Sequence, residues 1–208
     1  MTGDIAIRDA RSEAVAAWRS ESAELVAMLV AASQPYLSAL YGESSAGAAI
    51  FAALMKCESS EFLAGHAQVL CEETDPRGCY VALPGSQLPA CRRAELCEAL
   101  RYFGAGAAAS LGKRLALLSS LFPPVRDSDF YLSKLAVHVE ARGRGFGRLL
   151  LDHYMERGRQ IGFRRFRLDV SCGNHGAKHL YEAAGFRVID QRHSAQFDLS
   201  YLAMMAER

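Results

Sequence analysis

The chain has 208 residues, half of them hydrophobic, which is enough to bury a substantial core as one domain over residues 1–208. Its 24 Lys and Arg residues nearly balance 23 Asp and Glu residues, so charge gives no reason to expect nucleic acid or an anionic membrane as a partner. No stretch approaches the roughly 18 apolar residues of a membrane span, and the first residues do not resemble a secretory signal. We therefore expect a cytoplasmic protein.

Six cysteines are spread along the chain without a C-x-x-C pair or histidines at zinc-finger spacing. This pattern argues against a metal site and favours reduced, mostly buried thiols. Cys172 differs from the others because it follows the end of a predicted strand, where a functional site is proposed below.

The N-terminal half combines a strand, helices and a hairpin. Residues 4–8 alternate like a short strand, and Ser12 precedes an Ala-rich segment with the spacing of one or two amphipathic helices as far as about residue 41. Residues 66–72 and 79–83 read as two strands joined by a turn over residues 74–78, where Pro and Gly would supply the turn dihedrals.

The C-terminal half begins with apolar residues at helical spacing over residues 90–122, interrupted by Gly104 and Gly106 and stopped by Pro123 and Pro124. Two helices are predicted there, as an elaboration covering residues 84–124. The following elements are predicted as a strand over 130–137, a helix over 145–161, a strand over 166–170, a helix over 175–184, and strands near 186–189 and 196–204.

A glycine-rich turn, Arg142-Gly143-Arg144-Gly145-Phe146-Gly147, lies between an apolar strand and a helix that begins with three leucines. Backbone N–H groups at a helix start have no partner within the helix and lie at its positive end. A turn with little side chain lets phosphate oxygens approach them, so this turn is a candidate diphosphate site. The alternative is a plain strand-to-helix turn carrying solvated arginines.

A second motif follows in the segment 174–186. It predicts a helix with Asn174 as its N-cap, an apolar face that includes Ala177 and Tyr181, and Gly185 as a left-handed C-cap. A capped amphipathic helix with Tyr181 as core filler would give the same local pattern.

Together, in this order and spacing, the two motifs resemble the GNAT superfamily of N-acyltransferases. The family pattern R/Q-x-x-G-x-G/A is met by Arg142, Gly145 and Gly147. The pattern N-x-x-A-x-x-L-Y-x-x-x-G-F is met by Asn174, Ala177, Leu180, Tyr181, Gly185 and Phe186. The match covers about residues 130–190, and residues 7–10 resemble the family's first strand; residues 32–65 and 84–124 follow no family pattern.

The resemblance implies an α/β fold with a mixed, twisted, splayed sheet of about six or seven strands flanked by helices, here with an extra helical insertion. It also implies acetyl-CoA, or a related acyl-CoA, as co-substrate, and no metal. The residues assigned to the cofactor by this resemblance are Leu135, Ala136, Val137, Arg142, Gly143, Arg144, Gly145, Phe146, Gly147, Arg148, Asn174, Ala177 and Tyr181.

The chemistry implied is direct attack of a primary amine on the thioester. Tyr181 matches the family position whose hydroxyl lies near the cofactor sulfur, where it would protonate or hydrogen-bond the developing thiolate. No general base is evident from the sequence. Asp129 and Tyr131 are the nearest candidates, His138 and Glu140 lie at the strand exit, and a water relay would serve as well.

Two other functions compete with this reading. A strand, a glycine turn, a helix and then Asp169 imitate a dinucleotide-binding unit, but the third glycine of that motif is replaced by Arg148. A catalytically silent acyl-CoA-binding sensor or interaction module would keep the fold without transfer.

The acceptor is sought, by the same resemblance, between residues 18 and 41 and in the 84–124 region. A small-molecule amine, an antibiotic, a peptide N-terminus and a protein lysine all fit the motifs. Alternating apolar residues in the last strand (Phe197, Leu199, Tyr201 and Ala203) suit either a homodimer interface or a strand buried on both faces.

Overall fold

The computed structural model describes residues 4–9, 23–42, 45–55, 57, 60 and 66–208. In these residues the strands are β1 (Ile5–Asp9), β2 (Ala67–Glu72), β3 (Asp75–Pro84), β4 (Asp129–Val137), β5 (Arg165–Ser171), β6 (Arg187–Ser194) and β7 (Leu199–Glu207). The α-helices are α1 (Ala23–Ala32), α2 (Tyr36–Tyr41), α3 (Ser45–Leu54), α4 (Leu88–Phe103), α5 (Ala108–Ser119), α6 (Phe146–Gln160) and α7 (His175–Ala183).

The seven strands form one open sheet in the order β1-β2-β3-β4-β5-β7-β6. Every neighbouring pair is antiparallel except β4 and β5, which run parallel. This arrangement confirms the predicted mixed α/β sheet flanked by helices. The two parallel strands are joined through α6, the connection that parallel neighbours require.

Helices cover both faces of the sheet because successive strand residues point to opposite sides. On one face, Val69, Cys79 and Val81 pack with apolar residues from α1 to α5. On the other face, Phe130 and Phe166 pack with residues of α6 and α7. The sheet is therefore the middle layer, and the predicted helical elaboration of α4 and α5 builds part of one outer layer.

The β2–β3 hairpin is confirmed, but its predicted turn over residues 74–78 is wrong. Asp75 already pairs with Glu72, so the turn is tighter and uses Glu73, whose φ of 58° is left-handed. Gly78 lies inside β3, where a Cβ would come within 2.8 Å of the Ala136 carbonyl oxygen. The glycine therefore serves a close strand-to-strand approach rather than the turn.

At the ends of the chain the predicted helices up to residue 41 correspond to α1 and α2, whereas Ser12 and Trp18 lie outside the described residues. β6 is longer than predicted, and β7 begins three residues later than predicted because residues 195–198 form a turn. β7 lies between β5 and β6, and its Leu199, Tyr201 and Ala203 are buried within the chain. None of the described helices is long and apolar enough to cross a membrane.

Candidate functional site

The centre of the sheet opens between its two parallel strands. β4 and β5 are paired from Asp129 with Arg165 to Leu132 with Leu168, and the pairing stops there. Both strands continue, because β4 remains paired with β3 as far as Val137 and β5 with β7 as far as Ser171. The backbone of β4 beyond Leu132 is thus left without a strand neighbour on its β5 side.

A bulge in β4 marks the start of this opening. Val81 pairs with Lys134 and Ala82 with Leu132, so Ser133 is an extra residue in the register between β3 and β4. A bulge bends its strand and increases the local twist, which turns the end of β4 away from β5. The three residues predicted to line the cofactor arm, Leu135, Ala136 and Val137, lie beyond this bulge.

The glycine-rich turn follows β4 directly and leads into α6. Gly143 and Gly145 have φ angles of 76° and 83°, which L side chains rarely adopt. A Cβ built on either would meet nothing within 4 Å, so glycine is needed here for its backbone conformation rather than for packing.

The start of α6 presents free backbone donors to this turn. Gly145 is the N-cap, and the N–H groups of Arg148 and Leu149 both return to its carbonyl oxygen. The N–H groups of Phe146 and Gly147 precede these first intrahelical bonds. The arrangement fits an anion such as a diphosphate, because unpaired donors and the positive end of the helix coincide.

The three arginines of the turn are differently engaged. Arg144 forms a two-pronged ion pair with Glu72 on β2 and stacks over the Phe146 ring at 4.7 Å. Arg148 pairs with Asp152 at 2.8 Å, one turn along α6. Among the described residues, Arg142 makes only a long contact of 3.4 Å from its Nε to the Val137 carbonyl oxygen, so it is the least engaged of the three arginines in this part of the chain.

The Glu72–Arg144 pair joins the turn to the β2–β3 hairpin. Hydrogen bonding and attraction from Arg144 hold the pKa of the Glu72 carboxyl below its ordinary value, with a smaller contribution from Arg77. Arg77 approaches the same carboxylate at 3.2 Å. For Arg144 to contact a diphosphate, it would exchange Glu72 for a phosphate oxygen.

Helix α7 carries the second motif. Asn174 caps it, and its Oδ1 accepts a hydrogen bond from the Ala177 N–H at 3.1 Å. Tyr181 is buried beside Phe186, and burial raises the pKa of its hydroxyl to about 12. Asn174, Ala177 and Tyr181 all line the cavity described next.

A cavity of about 660 Å³ extends from the strand opening to the helical layer. Its sheet side is formed by residues 131–135 of β4, residues 169–171 of β5, and Tyr201 of β7. Its helical side comes from α2, α4, α5 and the end of α1. The opening between the strands and the helical elaboration therefore share one space.

Of the four candidates for the general base, the structure places only Tyr131 in the cavity lining. Asp129 is buried at the closed end of β4, where it pairs with Arg165 at 2.8 Å and accepts the Arg126 N–H at 2.9 Å. His138 and Glu140 lie beyond the end of β4, outside the cavity lining. Tyr131 does line the cavity, and its hydroxyl donates to Asp169 Oδ2 at 3.1 Å.

Asp169 was missed as part of an acyltransfer site because the sequence motif drew attention to it only as a dinucleotide ligand. It is the first residue of β5 beyond the last pair with β4. No local pattern links it to Tyr131, which is 38 residues away.

Solved structures with the same fold were found at low sequence identity. An acetyltransferase aligns with a TM-score of 0.68 and 19% identity over 97% of this chain and 98% of its own. An N-acetyltransferase from Staphylococcus aureus Mu50 aligns with a TM-score of 0.66 and 18% identity, over 97% and 100% of the two chains. A Drosophila melanogaster polyamine N-acetyltransferase that forms N-acetylagmatine aligns with a TM-score of 0.60 and 17% identity, over 99% and 100%.

No curated protein sequence matches the chain significantly. The family model of the GNAT acetyltransferases matches residues 48–186, which is well over half of the chain. This range includes the opened strands, the glycine turn and the Asn174 helix. The chain therefore belongs to the acetyltransferase (GNAT) family.

Proposed function

We propose that the protein transfers an acetyl group from acetyl-CoA to a primary amine by direct attack. The observation that carries the proposal is the opening between β4 and β5, which has a glycine turn at its end and a cavity leading from it to the helical layer. An extended amide-containing arm can pair with strand backbone that has lost its neighbour. The cavity then offers room for an acceptor beside the same opening.

Acetyl-CoA supplies an activated thioester when bound. The backbone of Leu135 and Val137, with Ala136 between them, would hold its pantetheine arm, and Asn174 and Ala177 would flank it. The diphosphate would lie against the turn formed by Arg142, Gly143, Arg144, Gly145, Phe146, Gly147 and Arg148.

Tyr181 is the proposed proton donor to the leaving thiolate. Its raised pKa, about 12 because of burial, keeps the hydroxyl protonated at neutral pH. The hydroxyl makes no hydrogen bond with the described residues, so its proton is not committed elsewhere in this part of the chain. A neutral donor that faces developing negative charge stabilises the transition state more than the ground state.

The acceptor side of the cavity combines apolar walls with several tyrosines and the charged residues Arg92 and Glu95. Such a lining suits a small molecule or peptide end that carries one amine on an apolar body. We propose that residues 1–208 act as one catalytic domain in the cytoplasm, without a metal and without nucleic acid; a homodimer is compatible with this function but not required by it.

A catalytically silent acyl-CoA-binding module is the second candidate. It is favoured by one observation: Asp129, His138 and Glu140, three of the base candidates near β4, do not line the cavity. Binding without transfer would distinguish this function from the first.

Isothermal titration of the purified protein with acetyl-CoA, with NAD as the control ligand, tests the cofactor site. Gly147→Asp should abolish binding, because its carboxylate would repel the diphosphate and a Cβ there already comes within 3.3 Å of Leu180. Gly106→Asp adds the same charge at an exposed glycine away from the turn and should bind normally.

Amine acetylation is then measured with phenethylamine, agmatine, spermidine and a peptide with N-terminal alanine. Release of CoA with any of them supports the transferase. Saturable binding without release supports the silent module, and no binding by folded protein contradicts both.

A further inference from the structure

A buried polar group lies at the point where β4 and β5 separate. It consists of Tyr131 on β4 with Arg167 and Asp169 on β5. Tyr131 pairs with Arg167 across the parallel strands, and Asp169 follows two residues later on the same face. Tyr131 and Asp169 both line the cavity.

The contacts within this group are direct. Tyr131 donates its hydroxyl hydrogen bond to Asp169 Oδ2 at 3.1 Å, and Arg167 Nη2 donates to Asp169 Oδ1 at 2.8 Å. The side chains of Arg167 and Asp169 are only 2% and 3% exposed. Among the described residues, each carboxylate oxygen therefore has one donor, and one of these donors is the hydroxyl of a tyrosine that lines the cavity.

Burying an ion pair is costly and seldom adds net stability, so its position on a cavity wall invites a functional explanation. Burial raises the pKa of the Asp169 carboxyl, an effect that Arg167, Tyr131 and Arg92 partly oppose. Burial is the larger cause of the raised pKa of Tyr201 on β7, to which Asp169 in turn contributes. Raising the pKa of a carboxyl makes it a better proton acceptor at neutral pH.

A second buried Asp–Arg ion pair, which does not border the cavity, provides a comparison within the same chain. The Asp129 side chain is 3% exposed, like that of Asp169, and it pairs with Arg165 of β5 at 2.8 Å, yet Asp129 does not line the cavity. Asp129 instead accepts a backbone N–H. The pair at the closed end of β4 has surroundings typical of a structural ion pair. The pair at the open end differs in two ways: Asp169 accepts a hydrogen bond from Tyr131, and it lines the cavity.

We propose that Tyr131 and Asp169 together remove the proton from the acceptor ammonium, an inference that rests on the proposed transferase function. The ammonium N–H bond breaks as the Tyr131 oxygen gains that proton, and the original Tyr131 proton passes to Asp169 Oδ2. The freed nitrogen lone pair forms the new N–C bond, the C–S bond breaks, and Tyr181 protonates the thiolate. The second proton of the nitrogen then passes through water to the Tyr181 oxygen, which leaves a neutral amide, and exchange with water removes the first proton from Asp169.

Arg167 is a positioning residue in this scheme. Its bond to Oδ1 fixes the carboxylate so that Oδ2 faces Tyr131. Its positive charge also keeps the carboxylate ionised, and therefore able to accept a proton, until that proton arrives.

The test compares Tyr131→Phe with Tyr154→Phe, using any amine that the wild type acetylates. Tyr154 is a buried tyrosine of the opposite face whose hydroxyl donates to the Phe130 carbonyl oxygen at 2.6 Å. Tyr131→Phe should lower kcat by about 100-fold or more, the usual contribution of a general base, and should leave the acetyl-CoA Kd within about twofold. Tyr154→Phe should leave kcat unchanged below its melting temperature.

The second comparison is Asp169→Asn with Asp129→Asn. The acidic limb of the pH profile of kcat/KM that belongs to Asp169 should disappear in the first variant and persist in the second. Without any acceptor, carboxyl-carbon NMR should show the Asp169 pKa rising in Tyr131→Phe, because the lost hydrogen bond favours the charged form.

The proposal is overturned if kcat is unchanged in folded Tyr131→Phe. It is also overturned if the Asp169 pKa measured by NMR is the same in this variant and in the wild type. If the wild type binds acetyl-CoA but acetylates no amine, the transferase function fails and the inference fails with it. If the wild type and Tyr131→Phe acetylate equally with the same pH profile, only the inference fails.

Discussion

At the scale of single residues, the burial of Tyr181 determines the protonation state of its hydroxyl. Its ring packs with Phe186, and the residue lines the cavity. Burial disfavours the charged tyrosinate, which is why the pKa is raised to about 12. A hydroxyl kept neutral in this way is suited to donate a proton rather than to accept one.

Tyr181→Phe should therefore lower turnover by about 100-fold, the order expected for loss of a general acid. The acetyl-CoA Kd should stay nearly unchanged because the ring remains. Steady-state acetylation and isothermal titration measure the two quantities. Equal turnover in Tyr181→Phe would remove this hydroxyl from the mechanism.

Gly158 is a residue whose role is packing alone. It lies on α6, where a Cβ would come within 2.5 Å of Phe166 Cε1 and 2.7 Å of Phe130 Cδ1. Phe130 and Phe166 belong to the two strands that are paired just before the opening. The glycine thus lets α6 approach the closed half of the parallel pair.

Gly158→Ala should destabilise the fold by about 1–3 kcal/mol through overpacking. Gly112→Ala is the matched control, since Gly112 also lies in a helix but a Cβ there meets nothing within 4 Å. That control should stabilise the fold by about 0.5–1 kcal/mol because alanine is the better helix former. Urea denaturation measures both, and a neutral Gly158→Ala would contradict the packing argument.

At the scale of elements, the glycine turn is connected to the β2–β3 hairpin through Glu72 and Arg144, which are 72 residues apart. The carboxylate of Glu72 places a negative charge beside a site proposed for a diphosphate. Arg77 shares this carboxylate, so the hairpin holds a small charge network next to the turn. This network should tune the affinity for an anionic ligand.

Glu72→Gln should tighten acetyl-CoA binding about threefold at low salt, the size expected for one screened surface charge. Asp75→Asn is the control, because Asp75 contacts Arg77 at 3.3 Å on the same hairpin but its side chain is 68% exposed. Titration calorimetry at two salt concentrations measures the effect, which should shrink as salt rises. Weaker binding by Glu72→Gln would show that the ion pair instead positions Arg144 for the phosphate.

At the scale of the whole molecule, the cavity lies between a part of the chain that carries the family motifs and a part that carries none. Its sheet side belongs to the segment with the family motifs, and much of its helical side belongs to α4 and α5, which match no motif. The first part would hold the cofactor and the second would shape the acceptor space. Changes in α5 should therefore alter amine use without altering cofactor binding.

Ala116→Trp should raise the KM for an amine substrate about tenfold or more by filling the acceptor space, while acetyl-CoA binding persists. Ala116 is exposed on α5 and lines the cavity. Ala109→Trp is its control, because Ala109 lies seven residues earlier in the same helix, is also exposed, and is outside the cavity lining. Equal KM values for the two variants would place the acceptor elsewhere.

Periodicity in the sequence predicted the two helices of the elaboration and the elements around both motifs, and the resemblance of those motifs to the GNAT family implied the α/β class. The elements depend on local physics, such as the N-cap at Asn174 and strand and helix periodicity. The turn of the β2–β3 hairpin was misplaced because Gly78 is required by a contact with Ala136 of another strand. When a glycine is required by a contact with a residue distant in sequence, its position does not indicate a local turn.

Only the tertiary structure decided which polar residues meet at the opening. Asp129 and Tyr131 are equally plausible bases in the sequence, but strand pairing buries Asp129 at the closed end and turns Tyr131 toward the cavity and Asp169. The bulge at Ser133 and the end of the β4–β5 pairing depend on register between strands. Register and long-range contacts are set by packing of the whole sheet, whereas caps, turns and glycine conformations are fixed by a few neighbouring residues.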